Sequence, residues 1–184
     1  MILTNILKAD LYRYSGGIDF ISFLKMMRTP GFRFTFIFRK LKTTSFFNPF
    51  WIVLKFLYSK YSFKYGYQIP LSVKIGSGLM LPHFEGIVIN SKTVIGSNCN
   101  ILQGVTLGNT KRGKKMGAPT IGDKVYIGSN AVVVGGVFIG DNVLIAPNSF
   151  VNINIPSNSI FVSGKIINKD DATEGYLLNI LSSN

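Results

Sequence analysis

One cysteine, one histidine, one tryptophan and eight acidic residues are all that 184 positions hold of those types. Each scarcity excludes something. A lone cysteine, Cys99, cannot form an intrachain disulfide, which agrees with a reducing compartment. A lone histidine, His83, cannot supply the roughly three imidazoles that a catalytic zinc of the carbonic anhydrase kind takes, so no metal is expected. No apolar run reaches the roughly 20 residues that cross a bilayer. The longest uncharged run in the first third, Thr43 to Leu54, has Pro49 inside it and is far shorter than that. The longer one, Asn142 to Gly164, is threaded with Asn, Ser and Pro and reads as turns and strands. The opening MILTNILKADLYRYSGG meets Lys8 and Asp10 early and does not read as a secretory leader.

Set against 20 Lys and Arg, the shortage of acids gives a net charge of +12. The imbalance is uneven. Residues 1–66 hold 11 basic and 2 acidic residues, net +9, with 17 of the 24 aromatics; residues 67–184 hold 9 basic and 6 acidic, net +3. The chain is therefore expected to divide into a basic, aromatic-rich region (1–66), a second domain (67–167) and a tail (168–184). The first region calls for an anionic partner or a packing role. Nucleic acid is not expected, because the cations lie among Phe and Trp and no nucleic-acid-binding motif is present.

What the second domain has in abundance is a period of six. From residue 73 it reads VKIGSG, LMLPHF, then after a slip IVINSK, TVIGSN, CNILQG, VTLGNT; after a gap it resumes PTIGDK, VYIGSN, AVVVGG, VFIGDN, VLIAPN, SFVNIN. The third position is aliphatic every time, the next is often Gly, and the fifth is often Asn or Ser. Six is not a helical period, and Gly, Asn and β-branched residues disfavour helix. The pattern predicts short strands joined by tight turns, each pointing its third residue inward, so that stacked coils build one continuous core. Twelve hexads at three per coil make about four coils of a mainly β, parallel β-helix.

This tandem pattern resembles the left-handed β-helix of the hexapeptide-repeat acyltransferases. GSGLMLPHFEGIVIN followed by TVIGSNCNILQGVTLGNT resembles the serine acetyltransferases and the short sugar and capsular-polysaccharide O-acetyltransferases. LKADLYRYSG and TPGFRFTFIFRKLK are similar to the N-terminal part of the sugar and capsule enzymes. The resemblance implies acetyl-CoA as co-substrate and a homotrimer with sites between subunits.

Leu81 to Ile89 spans eight residues where six would keep step. The two extra residues push PHFEG out of register, so His83 is expected to leave the coil wall and point outward. It interrupts a regular scaffold between Pro82 and Gly86, and histidine is the side chain whose ordinary titration lies near neutrality. The resemblance implies that His83 is the general base that takes the proton of an acceptor hydroxyl. Glu85 lies two residues on. In an extended segment both side chains would share one side, so Glu85 could orient His83, bind substrate, or be a solvated carboxylate. Cys99, at the first position of an ordinary hexad, reads as a packing residue.

The step from Leu107 to Ile121 is longer than two whole hexads where one would keep the rhythm. NTKRGKKMGA must therefore leave the coil as a loop carrying Lys111, Arg112, Lys114 and Lys115. The resemblance implies that such a loop closes over a neighbouring subunit's site. Its cations could meet CoA phosphates or stay solvated. Position-by-position matching implies Gly108, Asn109, Ser129, Pro147 and Asn152 for CoA. It also implies Lys165, where the family's later Gly-x-Pro-Ala-Arg/Lys element is shortened to Ser163-Gly164-Lys165.

Thr29-Pro30 and Asn48-Pro49 are helix-start signals, and helices are expected over about 4–14, 18–27, 30–42 and 49–64, with one short helix in the tail. The last two of the four mix aromatics with Arg and Lys. That suits either a membrane surface, contacted through residues 30–66, or packing on the β-helix. A cytoplasmic location follows, peripheral on the inner face of the membrane if the first holds.

The acceptor is read from three departures. Serine acetyltransferases resembling this chain carry an aspartate directly before the base and an Arg-His pair before the proline that reopens the repeat; here stand Pro82, Gly117 and Ala118. Their long helical N-terminal domain also does not fit into the region before Tyr67. A sugar hydroxyl of a surface polysaccharide or its precursor is therefore the expected acceptor, ahead of serine. A non-catalytic β-helix scaffold at a membrane is the alternative of another class.

Overall fold

The six-residue period becomes a triangular prism. The computed structural model describes residues 4–181. Its β domain is a left-handed parallel β-helix. Coil 1 consists of β1 (Tyr67–Gln68), β2 (Lys74–Ile75) and a bridge at Met80. Coil 2 is β3 (Ile87–Ile89), β4 (Val94–Ile95) and β5 (Asn100–Ile101). Coil 3 is β6 (Thr106–Gly108), β7 (Thr120–Ile121) and β8 (Tyr126–Ile127). Coil 4 is β9 (Val132–Val134), β10 (Phe138–Ile139) and β11 (Val143–Ile145). Coil 5 is β12 (Phe150–Val151), a bridge at Ile155, and β13 (Ser159–Val162). The three faces are parallel stacks ordered β1-β3-β6-β9-β12, β2-β4-β7-β10 and β5-β8-β11-β13, the last extended by β14 (Lys165–Asn168).

Five coils stand where the hexads predict about four. The additional strands, β1 and β13, come from YQ and SIFV, which lack the hexad pattern. The ladder also measures the register. Val88 pairs with Thr106 and Val132 with Phe150, each three hexads on. Tyr67 pairs with Ile87, two positions beyond that spacing, and Thr106 with Val132, more than a whole hexad beyond it. The two excesses are the His83 slip and the basic loop.

Third-position residues from Leu81 to Val151 are all buried, and Ile75 is half-buried. First-position residues, from Val73 to Ser149, are buried as well, so each hexad contributes two inward side chains. Each buried aliphatic contributes about 1.5–3 kcal/mol relative to exposure, and only because the next coil covers it. The left-handed turn residue is the sixth of the hexad rather than the fifth. Asn98, Lys124, Asn130, Asn142 and Asn148 hold φ of 54° to 59° there, a region in which Asn is among the better tolerated residues. Cys99 packs inside coil 2, and burial pushes its thiol up to about 12. It is a core residue, as its place in the hexad implies.

Four helices precede the prism: α1 (Asn5–Ser15), α2 (Phe20–Met26), α3 (Pro30–Thr43) and α4 (Phe50–Tyr65). Pro30 opens α3 as expected. At α4 the signal is shifted by one residue: Pro49 is the cap, and Asn48 Oδ1 accepts from Phe50 N at 2.9 Å. α3 closes the open end of the prism, with Phe34 and Phe38 in one cluster with Tyr67, Val73 and Leu79 of coil 1. Its other aromatic face, at Phe32, packs on Leu7, Leu11 and Phe23. The aromatics of α3 are thus packing residues, while α4 leaves one side uncovered.

A buried ion pair bolts this cap down. Asp10 accepts from Arg39 Nε at 2.9 Å and from Leu79 N at 2.9 Å, and Arg39 Nη1 donates to Ile75 O at 2.7 Å. Burial raises the Asp10 carboxyl above its ordinary value, against the opposing pull of Arg39. The tail forms turns over residues 170–176 rather than the expected short helix, and residues 182–184 lie outside the described part. It covers the third face: Tyr176 packs on Tyr126, and Asn100 Nδ2 donates to Tyr176 O at 3.2 Å.

Candidate functional site

The slip does what its two extra residues predict. Leu81 is fully buried, Pro82 half-buried, and His83, Phe84, Glu85 and Gly86 are exposed. At Ile87 the chain is back inside the prism. His83 thus stands on an outward step at the corner between the third and first faces, held by its backbone from behind. Tyr14 of α1 accepts from Leu81 N at 2.7 Å, and Tyr67 Oη donates to His83 O at 3.3 Å. Glu85 N donates to Tyr65 O at 2.8 Å, and Gly104 N donates to Glu85 O at 3.0 Å.

Two glycines make this embrace possible. A Cβ on Gly31 would stand 2.0 Å from Leu81 O and 2.8 Å from the Tyr14 hydroxyl. Gly66 ends α4 at φ +66°, and a Cβ there would lie 2.9 Å from Gly86 N. The helical region is therefore part of the site's scaffold. None of Tyr14, Gly31 and Tyr67 is signalled by the hexad pattern. The one local hint is Gly31 in the first turn of α3, where no positive φ requires glycine.

Glu85 does not follow the extended-segment expectation. Its φ is +87°, so the alternation that would put it beside His83 is broken. Among the described residues no hydrogen bond joins the two side chains. Its observed part is played by the backbone, which stitches the slip to α4 and to coil 2.

The residues expected to hold acetyl-CoA fall at two corners. Ser129 and Pro147 occupy turns at the His83 corner, in coils 3 and 4, and Lys165 follows the tight turn Ser163-Gly164 that closes coil 5 at that corner. Coils stack at about 4.8 Å, so the Pro147 turn lies about 14 Å along the corner from the slip. An open groove of about 590 Å³ runs beside it, lined by Tyr126, Leu144, Pro147, Lys169 and Tyr176. Gly108, Asn109 and Asn152 stand instead at the opposite edge of the first face, where its strands end.

The basic loop springs from that second corner. Thr110 and Gly117 pair across its neck, and Lys115 O accepts from Gly136 N at 2.8 Å. Lys115 Nζ donates to Asn152 O at 2.7 Å, so the Asn152 carbonyl is engaged within the chain. Lys111, Arg112 and Lys114 are exposed, and none forms an ion pair among the described residues. Lys165 is exposed as well, but at the His83 corner, so a single chain does not bring it together with the loop cations. No group of three or more His, Cys, Asp or Glu placed to hold a metal occurs among the described residues.

The Tyr14 contact is testable. Tyr14→Phe leaves the buried Leu81 N–H without its partner and loosens the step under His83. If acetyl transfer uses His83, kcat should fall about tenfold through misplacement while KM for acetyl-CoA changes little, and the unfolding free energy should drop by the roughly 1–3 kcal/mol of an unmet donor. Loss of stability with unchanged kcat would make Tyr14 a packing residue only.

Comparison with known proteins agrees with the hexapeptide-repeat fold. The family profile described as bacterial transferase hexapeptide (six repeats) matches residues 118–152. A serine acetyltransferase of Helicobacter pylori is 37% identical over 116 residues, 63% of this chain and 68% of that protein. One from Staphylococcus aureus is 40% identical over 112 residues, 60% of this chain and 53% of that protein. Among solved structures, a Neisseria gonorrhoeae serine acetyltransferase in complex with serine is 31% identical with a TM-score of 0.70, over 88% of this chain and 67% of that one. The Entamoeba histolytica isoform 3 in complex with cysteine is 30% identical, TM-score 0.68, over 90% of this chain and 61% of that one. Coverage this high takes in much of the helical cap, which those enzymes share despite their greater length.

Proposed function

Since the chain belongs to the hexapeptide-repeat transferases, we infer that it is an acetyl-CoA-dependent O-acetyltransferase with His83 as its general base. The observation that carries this reading is the placement of the lone imidazole on an exposed step, over a rigid corner whose later turns hold Ser129 and Pro147. Acetyl-CoA supplies an activated acyl group as a thioester. His83 removes the proton of the acceptor hydroxyl as its oxygen attacks the acyl carbon, and returns a proton to the departing sulfur. General base catalysis of this kind contributes about 10²–10⁴-fold. The buried Cys99 offers no accessible thiolate, so transfer runs directly from one substrate to the other.

The two corners suit a homotrimer. A copy that sets its basic loop and Gly108-Asn109 corner against the His83 corner of another completes one site from the residues that a single chain separates.

Serine is the acceptor that the relatives' names support, and it ranks ahead of the sugar hydroxyl expected from the sequence. These relatives are named for serine and none of them for a saccharide, and polysaccharide or capsule synthesis has no support among them. One specific observation keeps the neutral acceptor as a second reading. Pro82, half-buried beside His83, and Gly117 and Ala118 at the foot of the loop provide no charge for an ammonium or carboxylate. Thiol release from acetyl-CoA, measured with L-serine and with a panel of sugars, decides between them. Turnover with serine at least tenfold above any sugar supports serine; the reverse order establishes the neutral acceptor. Release with neither acceptor class above hydrolysis contradicts O-acetyl transfer to both.

A further inference from the structure

One side of α4 is committed and the other is not. Leu54 and Tyr65 are buried, Tyr58 and Tyr61 pack on the prism, and Tyr58 Oη donates to Ile69 O at 2.6 Å. The opposite side carries Ile52, Phe56 and Phe63, which share one helical face by their spacing, and all three are exposed. Phe47, in the turn before α4, is 92% exposed and Phe63 is 91% exposed. Lone exposed apolar residues need no explanation, but a contiguous set marks an interaction site.

The charges around this face select the partner. Lys60 and Lys64 are exposed along one flank of that face, and neither forms an ion pair among the described residues. From Phe20 to Phe84 the chain holds no acidic residue at all. The same face of a second copy would set lysine against lysine with no carboxylate to separate them. An anionic surface with a hydrocarbon layer beneath it satisfies both kinds of side chain. No helix among the described residues is long and apolar enough to cross a membrane. At 1.5 Å per residue α4 is about 24 Å long, suited to lying in the plane of the interface.

We propose that the outer face of α4, with the Phe46-Phe47 turn before it, docks the protein on an anionic lipid bilayer. The contact narrows the 30–66 region expected from sequence to residues 46–64, because α3 is consumed in closing the prism. It is independent of the acetyl-transfer reading.

Flotation of the full chain with vesicles tests it, using phosphatidylcholine alone and phosphatidylcholine mixed with phosphatidylglycerol. The protein should float with the anionic vesicles, stay behind with the neutral ones, and be released as salt screens the lysines. Phe47→Ser combined with Phe56→Ser and Phe63→Ser should cut the bound fraction roughly tenfold or more, as should Lys60→Glu with Lys64→Glu. All five side chains are exposed, so melting temperatures should match the parent. Failure to float with anionic vesicles, equal flotation with both kinds, or flotation undiminished by either variant overturns the proposal. So does a result in which vesicles do not bind and the serine variant instead breaks up a larger assembly or abolishes oligonucleotide binding.

Discussion

His83→Ala should lower kcat for acetyl transfer by about 10²–10⁴-fold, with the melting temperature and KM for acetyl-CoA nearly unchanged. The two halves of that expectation have separate grounds. The ring is exposed and takes no part in the core, so removing it opens no cavity. The backbone of the step is held by Tyr14, Tyr67, Tyr65 and Gly104, none of which hydrogen-bonds the imidazole. The scaffold should therefore survive intact while the proton acceptor is lost. Steady-state kinetics with a thiol-detecting reagent, beside a thermal melt, give both numbers. A variant of unaltered kcat would end the catalytic assignment; one that unfolds would make His83 a structural residue in spite of its exposure.

Asp10→Ala should be the most damaging single change to stability, costing about 3–5 kcal/mol and lowering the melting point by about 10 °C or more. The carboxylate is fully buried and joins α1, α3 and coil 1. Its loss leaves the Arg39 guanidinium buried without a counter-charge and Leu79 N–H without an acceptor. The penalty comes from the uncompensated charge, so Asp10→Leu combined with Arg39→Met should recover much of it. Urea unfolding of the single and double variants checks this. Equal destabilisation by both would show that the pair matters through its carbonyl contacts rather than its charge.

The prism was legible in the sequence because its rule is local. A six-residue period states itself in each hexad, and arithmetic on that period locates both the His83 slip and the basic loop. The outermost strands were not legible, since Tyr67-Gln68 and Ser159–Val162 pair in the ladder without carrying the pattern. The extended-segment expectation for Glu85 fails because its φ is positive, a turn that two residues of alternation do not reveal. The supports of the step were beyond reach for another reason. Tyr14 meets Leu81 across 67 positions, and Gly31 lies against the same Leu81. No periodicity connects such pairs; only folding does. The resemblance supplied residues for CoA, while their division between two corners is visible only once the strands are stacked. Periodicity carries no information about the acceptor.

A crystal structure of the assembled protein with CoA bound tests the central claim most directly, through the separation between the CoA sulfur and the His83 ring. The sulfur should lie about 4–6 Å from an imidazole nitrogen, leaving room for one acceptor oxygen within hydrogen-bond reach of the ring, with the loop corner of a second copy alongside. A sulfur more than about 10 Å from every His83 in the assembly, beyond reach even through a bridging water, would contradict it.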